Sequence, residues 1–126
     1  MEPKNKIREG EQSKYNTTLD ILQHINHLLF LSDQESMHTD KIAHYRRWRI
    51  LQAIDRTLAP YANKEEVASL EKIRAYNFPS VSGHEWNRSG AEPKTRRLLD
   101  DYENLLRVMM ARAGFHIREQ DDLDDW

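Results

Sequence analysis

The stretch from 41 to 56 holds Lys41, Arg46, Arg47, Arg49 and Arg56 against a single acid, Asp55. Its centre, His44-Tyr45-Arg46-Arg47-Trp48-Arg49, interleaves aromatic rings with guanidinium groups. On a helix, Arg46, Arg49 and Arg56 share a face with Ile42 and Tyr45. Such a face can bind phosphates or another anion, and Tyr45 and Trp48 can stack on bases. The same residues also suit a solvated face on which Arg stems cover apolar surface. Arg47 differs from its neighbours. It falls among Ala43, Ile50, Leu51 and Ile54, where a guanidinium needs a paired acid or several acceptors. Its position predicts a core ion pair or a snorkelling side chain, with a catalytic or ligand-binding arginine as the alternative.

Histidines and carboxylates form a second group. Asp20, His24 and His27 lie on one side of a first helix, and Asp40 and His44 repeat the four-residue step on a second. A hairpin centred near residue 35 would bring His27 opposite His44 and His24 near Arg47. Imidazoles gathered in this way are weak candidates for a zinc or other divalent site. Polar packing or solvent exposure accounts for the same spacing, and neither HExxH nor the Glu-x-x-His of di-iron bundles occurs. No cofactor is expected.

A third group lies in 77–91, NFPSVSGHEWNRSGA. His84, Glu85 and Arg88 could serve acid–base chemistry, but adjacent residues rarely converge on one substrate atom. No nucleophile elbow or phosphate loop is present. Phe78, Val81 and Trp86 are more than a solvated linker needs. They suit either a docking loop anchored by Trp86 or a loop folded onto its own bundle.

The fourth group is Glu119-Gln-Asp-Asp-Leu-Asp-Asp-Trp126, five acids with one Leu and one Trp. It resembles the C-terminal tips of bacterial and phage single-stranded-DNA-binding proteins, acidic segments ending in an aromatic residue. Those tips dock on basic-rimmed apolar pockets of replication and repair proteins, so the resemblance implies a basic protein partner for Trp126. It covers about eight residues. The rest of the chain lacks the β-barrel pattern of those proteins, and the motif here ends in Trp where theirs ends in Phe. By charge alone the tail can bind a basic partner, compete with nucleic acid for the Arg face, or keep the chain soluble.

The elements that must position these groups read as helices. Leu19, Leu22, Ile25 and Leu29 recur at helical spacing from a cap at Thr17 or Thr18, and Ser32 to Ser36 reads as the connection. A second helix runs from about Asp40 to Ala59, capped by Thr39. Asn63 and Glu66 form a capping box for a third helix, with Val67, Leu70 and Ile73 in the core. The last helix starts near Glu92 and Pro93. Leu98, Tyr102, Leu105, Met109 and Ala113 give it a stripe suited to pairing with another copy, with a partner, or with the other helices of the chain. Gly114 reads as its stop, with Phe115 folded back on the last turn.

These elements predict an all-α fold: a small antiparallel bundle of about four helices over 16–115, a polar N-terminal arm over 1–15 and an acidic tail over 116–126. With 126 residues the chain is one domain's length. Gly and Pro number four each, too few for a turn-dense sandwich or barrel. Cysteine is absent, which removes disulfides and thiol chemistry. The longest apolar run, 28–31, is too short to span a membrane, and the N-terminus lacks the apolar core of a signal peptide, so the expected location is cytoplasmic. A net charge of −2 argues against nucleic acid, although removing the five tail acids leaves the rest of the chain net positive.

The leading expectation is a non-enzymatic helical interaction module working in a larger assembly. A protein partner or homo-oligomer would be contacted through Trp86, Leu98, Tyr102, Leu105, Met109 and Trp126. The main alternative is a nucleic-acid-binding accessory protein using Arg46, Arg49, Arg56, Tyr45 and Trp48. A remote alternative is a metal-dependent bundle enzyme using His24, His27 and His44.

Overall fold

A computed structural model describes the backbone of residues 2–115 and the side chains of residues 19–115. Among the described residues the chain is all-α: α1 (Glu2–Glu35), α2 (Lys41–Leu58), a 3₁₀ turn (Ala59–Tyr61), α3 (Lys64–Arg74), α4 (Gly83–Arg88) and α5 (Ala91–Ala113). The difference from four helices is α4, inside the 77–91 segment. Ser82 starts it by accepting a hydrogen bond from the Glu85 N–H at 3.2 Å. No helix among the described residues is long and apolar enough to cross a membrane.

Helix α1 begins at Glu2, so Thr17 and Thr18 lie inside it and do not cap it. The preceding segment is rich in Glu, Lys, Arg and Gln, all good helix formers, with Pro3 in the first turn. Helix α1 also runs past Ser32, so the expected connection is largely helical. Asp40, not Thr39, caps α2, accepting from the Ala43 N–H at 3.2 Å. Its carboxylate is the stronger acceptor for the positive end of the helix dipole. The Asn63–Glu66 capping box forms with both reciprocal bonds, 2.9 and 2.8 Å. Helix α5 ends as expected. Gly114 adopts φ +91, which only glycine tolerates readily. The Phe115 N–H returns to the Met110 carbonyl at 2.7 Å, and its ring is buried.

Helix α2 lies at the centre, packed along α1 on one side and α5 on the other, while α3 and α4 pack on α5. Ile25 and Leu29 of α1, Leu51, Ile54 and Leu58 of α2, Leu70 of α3, and Leu99, Tyr102, Leu106 and Met109 of α5 form the core. Val67 is exposed, a correction to its expected place in that core. The α5 stripe is covered by the chain's own helices. Tyr102 and Met109 are fully buried, and Leu98, Leu105 and Ala113 are half-buried against the same core. Tyr102 and Met109 are therefore packing residues, and the buried line of the helix runs through Leu99 and Leu106.

Candidate functional site

Buried charge must be paired, and here it is. Arg47 is 5% exposed. Its Nε donates to Ser32 Oγ at 3.3 Å, and its guanidinium meets Glu103 at 3.2 Å and Asp100 at 2.9 Å. Ser32 in turn donates to Glu103 at 3.1 Å, and Arg107 holds the other Glu103 oxygen at 2.9 Å. Of the outcomes the position of Arg47 leaves open, this is the core ion pair, tying α1, α2 and α5 together. A second network joins α2, α3 and α5: Asp55 is buried and accepts from Arg74 Nε at 2.8 Å and from the Tyr102 hydroxyl. Burial and that bond to Asp55 push the Tyr102 phenol well above its ordinary value, so it stays protonated. In a third network Arg112 grips both Glu66 oxygens at 2.7 Å.

Two of these carboxyls sit below the usual carboxylate range. For Glu66 the hydrogen bonds from Arg112 dominate over burial, with help from the Asn63 N–H. For Glu103 burial pushes upward, but the bonds from Arg107 and Arg47 outweigh it. A carboxyl whose pKa is lower folded than unfolded stabilises the fold above the unfolded value, about 4.3, and that contribution is lost as pH falls through the folded value. The urea midpoint is therefore expected to fall as pH drops below about 4.3. Glu103→Gln should flatten that fall while also lowering stability at pH 7. An unchanged acid limb in the variant would contradict the role given to Glu103.

His44 does not join His24 and His27. Ser32, not His24, stands beside Arg47, so the α1–α2 hairpin is centred between Thr39 and Asp40, not near residue 35. His24 and His27 are exposed on α1. His44 is buried, with Nε2 2.8 Å from Glu92 Oε2 and its ring edge-on to Trp86. No group of three or more His, Asp or Glu able to hold a metal ion occurs among the described residues. His84 is exposed beside Arg88, 3.0 Å away.

Trp86 is 1% exposed and donates from Nε1 to the Thr39 carbonyl at 2.8 Å, closing the 77–91 segment onto the α1–α2 turn. It is a core anchor and not a partner contact, because α4 turns it inward. Trp48 is corrected in the same way: it is buried against Tyr76 and Tyr102, with centroids at 5.8 and 5.5 Å, and has no free face to stack on a base. Trp126 lies outside the described residues.

The outer face of α2 remains. Arg46, Arg49 and Arg56 are all exposed, together with Ile42 at 61% and Tyr45 at 44%. Arg49 donates to the Tyr45 hydroxyl at 3.2 Å and sits over its ring at 6.0 Å. At the N-terminal end of this strip, Lys41, Ile42, Tyr45, Phe78, Pro79 and Ser80 line an open, mainly apolar groove of about 410 Å³. Its far wall has no regular structure but is held firmly. Lys41 Nζ donates to the Val81 carbonyl at 2.5 Å, Tyr45 meets Phe78 edge-on at 5.3 Å, and Phe78 stacks on buried Trp86 at 5.9 Å. A second cleft, of about 520 Å³, lies at the α1–α2 turn and is lined by Glu35, Met37, His38, Asp40 and Arg46. Its lining mixes both charge signs. The strip and groove were partly visible in the sequence as Ile42 and Tyr45 beside the arginines. The Phe78–Pro79 wall was not, since its partner becomes known only once Trp86 is placed. Comparison with known proteins finds no match to a family model, to a curated protein or to a solved structure.

Proposed function

We propose that this protein is a non-enzymatic, cytoplasmic helical interaction module that binds an acidic segment carrying one apolar anchor, along the outer face of α2. The observation that carries the reading is the groove of Ile42, Tyr45, Phe78 and Pro79 continuing into the exposed Arg46, Arg49 and Arg56. Large apolar side chains held open to water beside cations fit a partner with an aromatic or aliphatic residue among acids. The non-enzymatic part is supported by the buried ionisable groups. His44, Arg47, Asp55, Glu66 and Tyr102 each have an internal partner. A nucleic-acid reading has one observation in its favour, the three arginines on one exposed face. Against it, Trp48 is committed to the core.

The test uses a fluorescein-labelled peptide of alternating Asp and Glu with one central Trp, and a labelled single-stranded DNA oligonucleotide, each titrated with the full chain. The peptide is expected to bind, and Ile42→Asp to weaken it about tenfold, as loss of an interface anchor does. Ile42 is exposed, so the variant should fold normally. Replacing Arg46, Arg49 and Arg56 together by Ala should flatten the salt dependence between about 50 and 200 mM. Binding indifferent to Ile42→Asp overturns the reading, as does peptide binding absent both from the full chain and from the full chain carrying Trp126→Ala. Oligonucleotide binding that needs the arginines and ignores Ile42 selects the nucleic-acid reading.

A further inference from the structure

The α2 strip is cationic along its length and apolar at its N-terminal end. One segment of the sequence has the complementary pattern: 119–126, five acids with Leu123 and Trp126. Its path starts at the right place. Phe115 packs against Tyr61 with centroids at 4.9 Å, just past the C-terminal end of α2 and beyond Arg56. Eleven residues follow Phe115. Extended, they reach up to about 36 Å. The 18 residues of α2 rise only about 27 Å. The segment is long enough to pass Arg56, Arg49 and Arg46 and bring Trp126 to the groove.

We infer that residues 119–126 of this same chain occupy the α2 strip, with their acids against Arg56, Arg49 and Arg46 and the Trp126 indole between Ile42, Tyr45, Phe78 and Pro79. The inference rests on the reading of that groove as a docking surface and adds its regulation: an acidic partner must displace the chain's own tail. Exposed ion pairs contribute little singly and are screened by salt. The indole supplies the apolar area and the ring contacts that hold the segment in one register. Tethering does the rest. A short flexible linker presents its end at about millimolar effective concentration, so a contact too weak to form between separate molecules is populated within one.

The experiment compares amide chemical shifts of the full chain with those of two variants at low salt. One is Trp126→Ala, and the other replaces Asp121, Asp122, Asp124 and Asp125 by Asn. Both are expected to shift Ile42, Tyr45 and Ser80, and the charge variant to shift Arg49 and Arg56 as well. High salt should reproduce the charge variant. The shifts should not change on dilution. Both variants should bind the acidic probe peptide about tenfold more tightly than the parent, as removal of a tethered competitor requires. Unperturbed Ile42 and Tyr45 signals in both variants overturn the inference while leaving peptide binding intact. Shifts that vanish on dilution overturn it in favour of a second copy's tail. Failure of the peptide to bind either variant overturns the docking reading itself, whatever the tail does.

Discussion

Replacing Trp86 by Ala lowers the free energy of unfolding by about 3–5 kcal/mol, the range for truncating a fully buried aromatic ring. For a domain of this size that corresponds to a fall in thermal midpoint of about 15 °C or more. The magnitude follows from what the ring holds. It stacks on Phe78, meets His44 edge-on, and donates to the Thr39 carbonyl. Its loss opens a cavity and frees the 77–82 segment at once. Trp86→Phe keeps most of the ring area and leaves the Thr39 carbonyl without its donor, so a smaller loss of about 1–3 kcal/mol is expected. Thermal melts followed by circular dichroism check both. A loss below about 1 kcal/mol for the Ala variant would mean that α4 is not integral to the core.

Arg47→Met is expected to lower stability by about 2–4 kcal/mol, toward the lower part of the range for breaking a buried ion pair. Three partners are affected, but unequally. Glu103 keeps its bond to Arg107, and Asp100 is half-exposed and returns to water. Most of the loss comes from Ser32 and from the Glu103 oxygen facing the core. The paired change Arg47→Met with Glu103→Leu should recover much of it, because an apolar pair of similar volume avoids burying either charge. Urea unfolding of the two single variants and the double variant gives the coupling. A positive interaction of about 1–3 kcal/mol supports the pair, and additive losses would show that Arg47 acts only as packing.

Much of the fold was legible because helices announce themselves locally. The Asn63–Glu66 box, the Gly114 stop and the Arg47 position each follow from a few neighbouring residues, and each is present. What the sequence hid was long-range. Ser32 read as a connecting residue because Ser, Asp and Glu cluster there, although it continues the Ile25 and Leu29 line by helical steps. Asp55 sits on the buried side of α2 beside Ile54, and nothing local says that Arg74 and Tyr102 will meet it. Hairpin register depends on contacts between residues far apart in the chain. Centring it near residue 35 put His24 beside Arg47 where Ser32 belongs, and with that the histidine cluster dissolved. The tryptophans are ambiguous for a related reason: Trp48 and Trp86 are amphipathic enough to suit a surface or a core, and only the packed structure decides.

Helix α2 divides its circumference between two duties. Ala43, Arg47, Leu51 and Ile54 face inward, while Ile42, Arg46, Arg49 and Arg56 face water. The two sets share no hydrogen bond among those described. Substitutions on the outer set therefore change stability little, within about 0.5 kcal/mol for ordinary exposed positions. This helix can exchange one surface chemistry for another by single steps, with no compensating change inside. A bundle built in this way is open to re-specification: the chemistry of its outer face can drift, or be engineered, on a scaffold that does not register the change.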